Sequence, residues 1–256
     1  MTVDYSDVTE APGNSVSREA LSMLYTRYRF AAQFCAGKDV LEVACGPGAG
    51  LGYLATIGRV IGGDFTENLL RRASRHYRGR IPLLRLDAHA LPFPDASFDV
   101  LLLYEAIYYL KTPERFLAEC RRVLRDGGIV ILCTANKELA GFNPSPFSTR
   151  YFSVSELCEF LTMHRFAVEP FGAFSVPKGS ARDAVISWIR RTAVALGIIP
   201  KTMKGKAVLK RVFLGPLNPV PAEITGGMAP YWAPVPVSAT ESCATYKVIF
   251  AVARPL

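Results

Sequence analysis

Apolar residues recur along this chain in two rhythms. Over residues 15–34 they fall at steps of three and four, with Leu21, Leu24, Tyr25, Tyr28 and Ala32 on one face, which predicts an amphipathic helix. From residue 39 onward, short apolar, β-rich runs alternate with helical stretches. Strands are expected at 39–44, 59–64, 81–86, 98–104 and 129–135. Between them lies a helix capped at Thr66, with Leu69, Leu70, Ala73 and Tyr77 on its inner face. Another opens at Thr112-Pro113, buries Phe116, Leu117, Cys120, Val123 and Leu124, and is closed by Asp126-Gly127-Gly128. Ser153-x-x-Glu156 reads as a capping box for a fifth helix ending near His164. Further strands are expected at 166–171 and 245–253.

Such βαβα alternation predicts an α/β fold, a Rossmann-like, doubly wound sheet of seven strands. It is mostly parallel, with an antiparallel last strand if 166–171 and 245–253 form a closing hairpin. Residues 1–37 are then a helical cap, 38–171 with 244–256 the core domain, and 172–243 an inserted lid too long to be a bare loop.

Composition narrows the setting more than the chemistry. Residues 1–10 are polar and carry Asp4, Asp7 and Glu10, unlike a secretory signal. The most apolar long stretch, 184–200, is broken by Arg190 and Arg191 and falls short of a spanning helix. Six scattered cysteines without a Cys-x-x-Cys pair suggest neither a zinc site nor a disulfide framework, and fit a reducing cytoplasm. The net charge of +8 is local: nine Lys or Arg and one acid, Asp183, lie between Lys178 and Arg211.

The chemistry is carried by Val40-Leu41-Glu42-Val43-Ala44-Cys45-Gly46-Pro47-Gly48-Ala49-Gly50, a strand running into closely spaced glycines. Glycines there admit positive φ and let the backbone approach a ligand, and a following helix turns free N–H groups toward an anionic group. NAD, FAD and purely structural turns use the same device. Asp64 ends the second strand 18 residues after Gly46, where a carboxylate can accept from both hydroxyls of a ribose. Glu42, inside an apolar strand, needs a cationic or hydrogen-bonding partner.

Two further segments extend the pattern, Leu86-Asp87-Ala88-His89-Ala90-Leu91-Pro92-Phe93 and Arg121-Arg122-Val123-Leu124-Arg125-Asp126-Gly127-Gly128. Together with the glycine turn and Asp64, they make residues 38–135 resemble the class I S-adenosylmethionine-dependent methyltransferases, in the group with an Asp-Ala-x-x-Leu-Pro-Phe segment. The resemblance implies S-adenosyl-L-methionine as cofactor. Ala44, Cys45, Gly46, Pro47 and Gly48 would pass beneath its methionine end, with Glu42 holding the ammonium. Asp64 would take the ribose, Asp87 the adenine amino group, and Phe65, Ala88 and His89 would flank the base. Tyr104 and Glu105 would line the pocket near the sulfonium. Tyr25, with Arg27 and Tyr28, would fold over the methionine end or equally pack the core. Ala44 stands for a commoner glycine, a change that reads as sterically mild, and Tyr108-Tyr109 stands where many relatives carry histidine.

The expected activity is in-line methyl transfer to a small-molecule acceptor at O, N or C, of sugar, polyketide-like or quinone-like type. A hydroxyl acceptor would need a base, for which Glu105, Tyr108 and His89 are candidates. His89 and Tyr108 serve as well as wall and packing residues, and His164 as a helix-end residue. Segment 183–211 would cover the acceptor or touch an anionic membrane peripherally, and the proline-rich stretch 216–236 would cover substrate. Nucleic acid is disfavoured, because the basic residues lack interleaved aromatics. The competing readings are a non-catalytic S-adenosylmethionine-binding protein and a methyltransferase acting on lipid at a membrane surface.

Overall fold

The strand, glycine turn and helix pattern folds as a doubly wound sheet in the computed structural model, which describes residues 4–176 and 217–256. In chain order the elements are β1 (Ser15–Val16), α1 (Arg18–Ala31), β2 (Asp39–Val43), α2 (Leu51–Ala55), β3 (Arg59–Asp64), α3 (Glu67–Tyr77), β4 (Leu83–Arg85), β5 (Phe98–Tyr104), α4 (Pro113–Val123), β6 (Leu124–Ala135), α5 (Val154–Met163), β7 (Phe166–Ser175), β8 (Asn218–Pro219), β9 (Val235–Pro236) and β10 (Tyr246–Pro255). Seven of these strands form the expected Rossmann-like sheet in the order β4-β3-β2-β5-β6-β10-β7. The first five are mutually parallel, and β10 runs antiparallel between β6 and β7.

Alternation along the strands sends side chains to two cores. Val40, Val100, Leu102 and Ile131 meet α1, α2 and α3 through Tyr28, Leu51, Leu54, Ala73 and Tyr77. Leu41, Val43, Leu101 and Leu103 meet α4 and α5 through Phe116, Leu117, Leu157 and Leu161. The capping box at α5 forms in both directions, Glu156 N–H to Ser153 Oγ at 3.2 Å and Ser153 N–H to Glu156 Oε2 at 2.9 Å.

The structure departs from the sequence expectation at several points. An eighth strand, β9, adds to the edge of β7, where unpaired backbone groups recruit a partner and Pro236 withholds no needed donor. Strand β7 runs to Ser175, so residues 172–175 belong to the sheet and not to the lid. Asp126-Gly127-Gly128 does not separate helix from strand: β6 starts at Leu124, pairs with Phe98, and shifts register before Ile129 meets Val100. Gly127, at φ +73°, allows that irregularity. The helical cap begins with β1, which pairs antiparallel with β8, and α1 is capped at Ser17.

Residues 217–236, expected over substrate, lie mainly along α1 and the outer side of the glycine turn. Gly227 N–H reaches Tyr25 Oη at 2.9 Å, Trp232 N–H reaches Thr26 Oγ1 at 3.2 Å, and Ile224 N–H reaches the Ala49 carbonyl at 2.8 Å. The reading of 183–211 falls outside the described residues. No helix among the described residues is long and apolar enough to cross a membrane.

Candidate active site

At the carboxyl end of β2 the chain turns through Ala44, Gly46 and Gly48, with φ of +58°, +57° and +80°. Left-handed backbone costs an L-residue roughly 1–2 kcal/mol, so Ala44 is strained and its replacement of glycine is not mild. The helix that follows, α2, has only five residues. Its dipole therefore contributes less than the glycine pattern suggested, and the donors of this cradle are the amides of the turn. Tyr77, buried at the end of α3, donates its hydroxyl to the Gly48 carbonyl at 2.6 Å and accepts from Gly52 N–H at 3.0 Å, which pins the turn from below. Cys45 is buried beneath the turn, and its N–H joins the Gly63 carbonyl at 2.9 Å.

Beside the turn, α1 lays three consecutive contacts onto the sheet. Tyr28 donates to Glu42 Oε1 at 2.6 Å. A Cβ on Gly50 would lie 1.9 Å from the Tyr28 ring, so this packing requires glycine there. Tyr104, edge-on to Tyr28 at 5.5 Å, donates to the Arg27 carbonyl at 3.3 Å and so backs α1. Arg27 bridges Glu105 at 3.2 Å and Glu10 at 3.5 Å.

Burial pushes the Glu42 carboxyl up to about 8, against the pull of the Tyr28 hydroxyl. Burial likewise raises Glu105, opposed by Arg27. Glu105 itself holds φ +50° at the end of β5 and accepts from the Tyr108 hydroxyl at 3.0 Å. Non-glycine backbone in this region is stored strain of the kind that gathers at functional sites.

Two polar atoms in this cluster are buried without a hydrogen-bond partner among the described residues, Oε2 of Glu42 and Nε of Arg27. Buried orphans are costly. An acceptor and a cationic donor on neighbouring elements, each left without a partner among the described residues, suit a ligand that bears an ammonium and a carboxylate.

At the ends of β3 and β4 stand the other acids. Asp64 accepts from Gly46 N–H at 2.8 Å and Thr66 N–H at 2.7 Å, tying the glycine turn to β3. Burial raises its pKa, and the Thr66 and Gly46 amides oppose that rise. Phe65 is exposed at the same end, with Arg85 over its ring at 5.7 Å. Asp87 Oδ1 takes the N–H of His89 at 2.9 Å and its Nδ1 at 2.6 Å. Burial works to raise Asp87, but these His89 bonds hold it below the usual carboxylate range. Arg122 grips the segment that carries Asp87 by donating to the carbonyls of Leu91 at 2.9 Å and Phe93 at 2.7 Å. Glu119 completes the clamp by accepting from Leu91 N–H at 2.7 Å.

The layout is a cradle with Glu42 and Arg27 at one end, the buried acid Asp64 between, and an aromatic, acid-flanked end at Phe65 and Asp87. The Methyltransferase domain family matches residues 41–132, the stretch that supplies the turn and all three acids at the strand ends. Residues 41–132 are a methyltransferase domain. A probable S-adenosylmethionine-dependent methyltransferase of Mycolicibacterium smegmatis is 38% identical over 149 residues, 56% of this chain and 57% of that protein. This chain thus spans a little over half the length of that relative. Phthiotriol/phenolphthiotriol dimycocerosates methyltransferase 1 of Mycobacterium ulcerans is 43% identical over 101 residues, 37% of this chain and 36% of that protein. In fold, the YcgJ protein of Bacillus subtilis matches with a TM-score of 0.56 at 16% identity, covering 93% of this chain and 99% of that one.

The residues predicted from the sequence separate into two groups. Glu42, Gly46, Gly48, Asp64, Phe65, Asp87, Ala88, His89 and Glu105 gather along the carboxyl edge of the sheet. Tyr25 does not: its ring packs edge-on to Tyr53 at 6.2 Å and its hydroxyl serves Gly227, so the neighbours Arg27 and Tyr28 reach the cradle instead. Pro47, buried in the turn, lines a cleft of about 550 Å³ with Pro12, Arg72, Arg75, His76 and Ala222. His89 has both ring nitrogens engaged, Nδ1 by Asp87 at 2.6 Å and Nε2 by Thr112 N–H at 3.4 Å.

His164 donates through Nδ1–H to the Phe160 carbonyl at 2.7 Å, in keeping with a helix-end role. Sequence reasoning missed the anchoring by Tyr77 and Arg122. For Tyr77 a signal existed, since a tyrosine on a buried helix face requires a partner for its hydroxyl.

Proposed function

We propose that the chain transfers the methyl group of S-adenosyl-L-methionine to a small lipophilic acceptor. The reading is carried by the two buried orphans, Glu42 Oε2 and Arg27 Nε, beside the glycine turn. They complement the ammonium and carboxylate of a methionine moiety, and Asp64 and Asp87 lie along the same edge for the ribose and the adenine amino group. When bound, the cofactor supplies a methyl group on cationic sulfur, an electrophile that needs no further activation.

The chain's own residues then have to bind, orient and exclude water. Glu105, next to Arg27 and Tyr108, is the residue suited to an acceptor hydroxyl: it would take the hydroxyl proton on Oε2 as the acceptor oxygen takes the methyl group. Tyr108 stacks on Tyr151 at 4.2 Å, and Phe142 meets Tyr151 at 4.6 Å. This aromatic bank beside Glu105 supports an acceptor with an apolar body. The M. ulcerans relative named for phthiotriol dimycocerosates supports the same acceptor class. The chain's surplus charge of +8 lies wholly between Lys178 and Arg211, which supports a lipid acceptor met at an anionic surface.

Incubation of the full chain with methyl-labelled S-adenosylmethionine and separate lipid and polar metabolite extracts tests this. Label is expected in the lipid fraction, and it should fall sharply in Glu105→Gln. Label confined to polar metabolites would replace the acceptor class. No transfer from a chain that still binds S-adenosylhomocysteine would make the protein a binder.

A further inference from the structure

Residues 4–14 form a strap that the methyl-transfer reading does not use. Its root is firmly held. Gly13 N–H joins the Val220 carbonyl at 3.2 Å, Val220 N–H returns to the Asn14 carbonyl at 2.8 Å, and β1 pairs with β8 just beyond. From this root the chain runs back across the carboxyl ends of β2 and β3. The Thr9 methyl lies 3.2 Å from where a Cβ on Gly46 would sit, so the strap rests directly on the glycine turn. Glu10 closes on Arg27 at 3.5 Å, and Asp4 accepts from the Asn68 amide at 2.7 Å on the first turn of α3.

Tyr5, at the tip, packs its ring 5.0 Å from Tyr109 and 6.2 Å from Phe147. Its hydroxyl is within the electrostatic reach of both Asp64 and Asp87, which together with burial raise its pKa. With Thr9 against Gly46, Asp4 on Asn68 and Tyr5 against Tyr109, the tip of the strap lies along the carboxyl edge of the sheet that carries the acids.

We infer that the strap is the outer wall of the adenosyl site, with Tyr5 as a cofactor-contacting residue and the Glu10 to Arg27 ion pair as its latch. The inference rests on the S-adenosylmethionine reading of that site. Access and enclosure follow from how unequally the strap is held. Its root is a two-strand ladder with Val16 and Val220 buried, whereas the backbone bonds at its tip are local, with the Tyr5 carbonyl accepting from the N–H groups of Val8 and Thr9 at 3.1 Å each. Gly13, at φ +85° with open space around it, separates the two parts. A tip bound by side-chain contacts opens at far lower cost than the sheet. On closing, an aromatic ring above the base and an ion pair to the buried Arg27 shut water out of the space between the acids.

The test is hydrogen exchange and titration on the full chain with S-adenosylhomocysteine as the probe. Ligand is expected to slow amide exchange across residues 4–12. Tyr5→Ala is expected to weaken binding by about tenfold or more, the usual worth of an aromatic contact with a base. Tyr5→Phe should bind like wild type, and the melting temperature of ligand-free Tyr5→Ala should match wild type, which separates lost contact from lost fold. Glu10→Gln should speed ligand release. If Asp64→Ala abolishes binding while Tyr5→Ala binds as tightly as wild type and exchange over 4–12 is unaltered, this inference fails alone. A wild-type chain that does not bind the probe overturns both it and the methyl-transfer reading.

Discussion

The hydroxyl of Tyr28 donates to Oε1 of Glu42 at 2.6 Å, while Oε2 of the same carboxylate is buried with no partner among the described residues. With its pKa raised to about 8 by burial, Glu42 is protonated at neutral pH in the ligand-free chain. The unfolded chain releases this proton near 4.5, so the group's contribution to stability is fully present below that value and is lost as pH rises through about 8. A cationic ammonium against Oε2 favours the ionised form and expels the proton. Calorimetry of S-adenosylhomocysteine binding at neutral pH, repeated in buffers of different ionisation enthalpy, should therefore show proton release. Affinity should rise with pH up to about 8, and Glu42→Gln should lose both effects. Proton-independent binding in the wild type would show that Glu42 is not the ammonium partner.

Ala44 supplies a simpler test of the turn. Its φ of +58° is a conformation that glycine adopts without a Cβ penalty. Removing a strain of roughly 1–2 kcal/mol is partly offset by the roughly 0.5–1 kcal/mol of extra chain entropy that glycine loses on folding. Ala44→Gly should accordingly raise stability by up to about 1.5 kcal/mol in urea unfolding. A lower midpoint in the variant would count against the strain assigned here.

Tyr77 is the support under that turn. Its hydroxyl bridges the Gly48 carbonyl and the Gly52 amide, and the residue is fully buried. Tyr77→Phe leaves two buried backbone groups unserved, at a cost of about 1–3 kcal/mol. The variant should be less stable and should bind S-adenosylhomocysteine more weakly. Unchanged affinity would mean that the turn keeps its shape without this tether.

What the chain discloses in its sequence is mostly what is local. Strands β3 and β5 have the bounds that their apolar runs predict, and Ser153 and Glu156 cap α5 as their spacing requires. The positions of Asp64 and Asp87 follow from the ends of short apolar runs. Relationships between distant segments are another matter. Nothing in the spacing of Arg27 and Tyr28 says that they, and not Tyr25, face Glu105 and Glu42, since all three lie within one turn of α1. The Tyr5 strap and β9 depend on long-range pairings that single-sequence periodicity does not encode. Arg122 stands in the sequence only as part of the Arg121 to Gly128 motif, yet its fork binds two carbonyls 29 and 31 positions earlier. The ladder from Leu124 was hidden because Asp126-Gly127-Gly128 is as suited to a bulge as to a helix stop.

The central claim is that the glycine turn and the acids of neighbouring strands form one site for an adenosyl-methionine ligand. Titration calorimetry of S-adenosylhomocysteine against the wild-type chain, Asp64→Ala and Glu42→Gln measures it most directly. The account predicts saturable one-site binding to the wild type and a large loss in each variant, with folding retained. Wild-type binding that neither substitution weakens, or the absence of any binding, would contradict it.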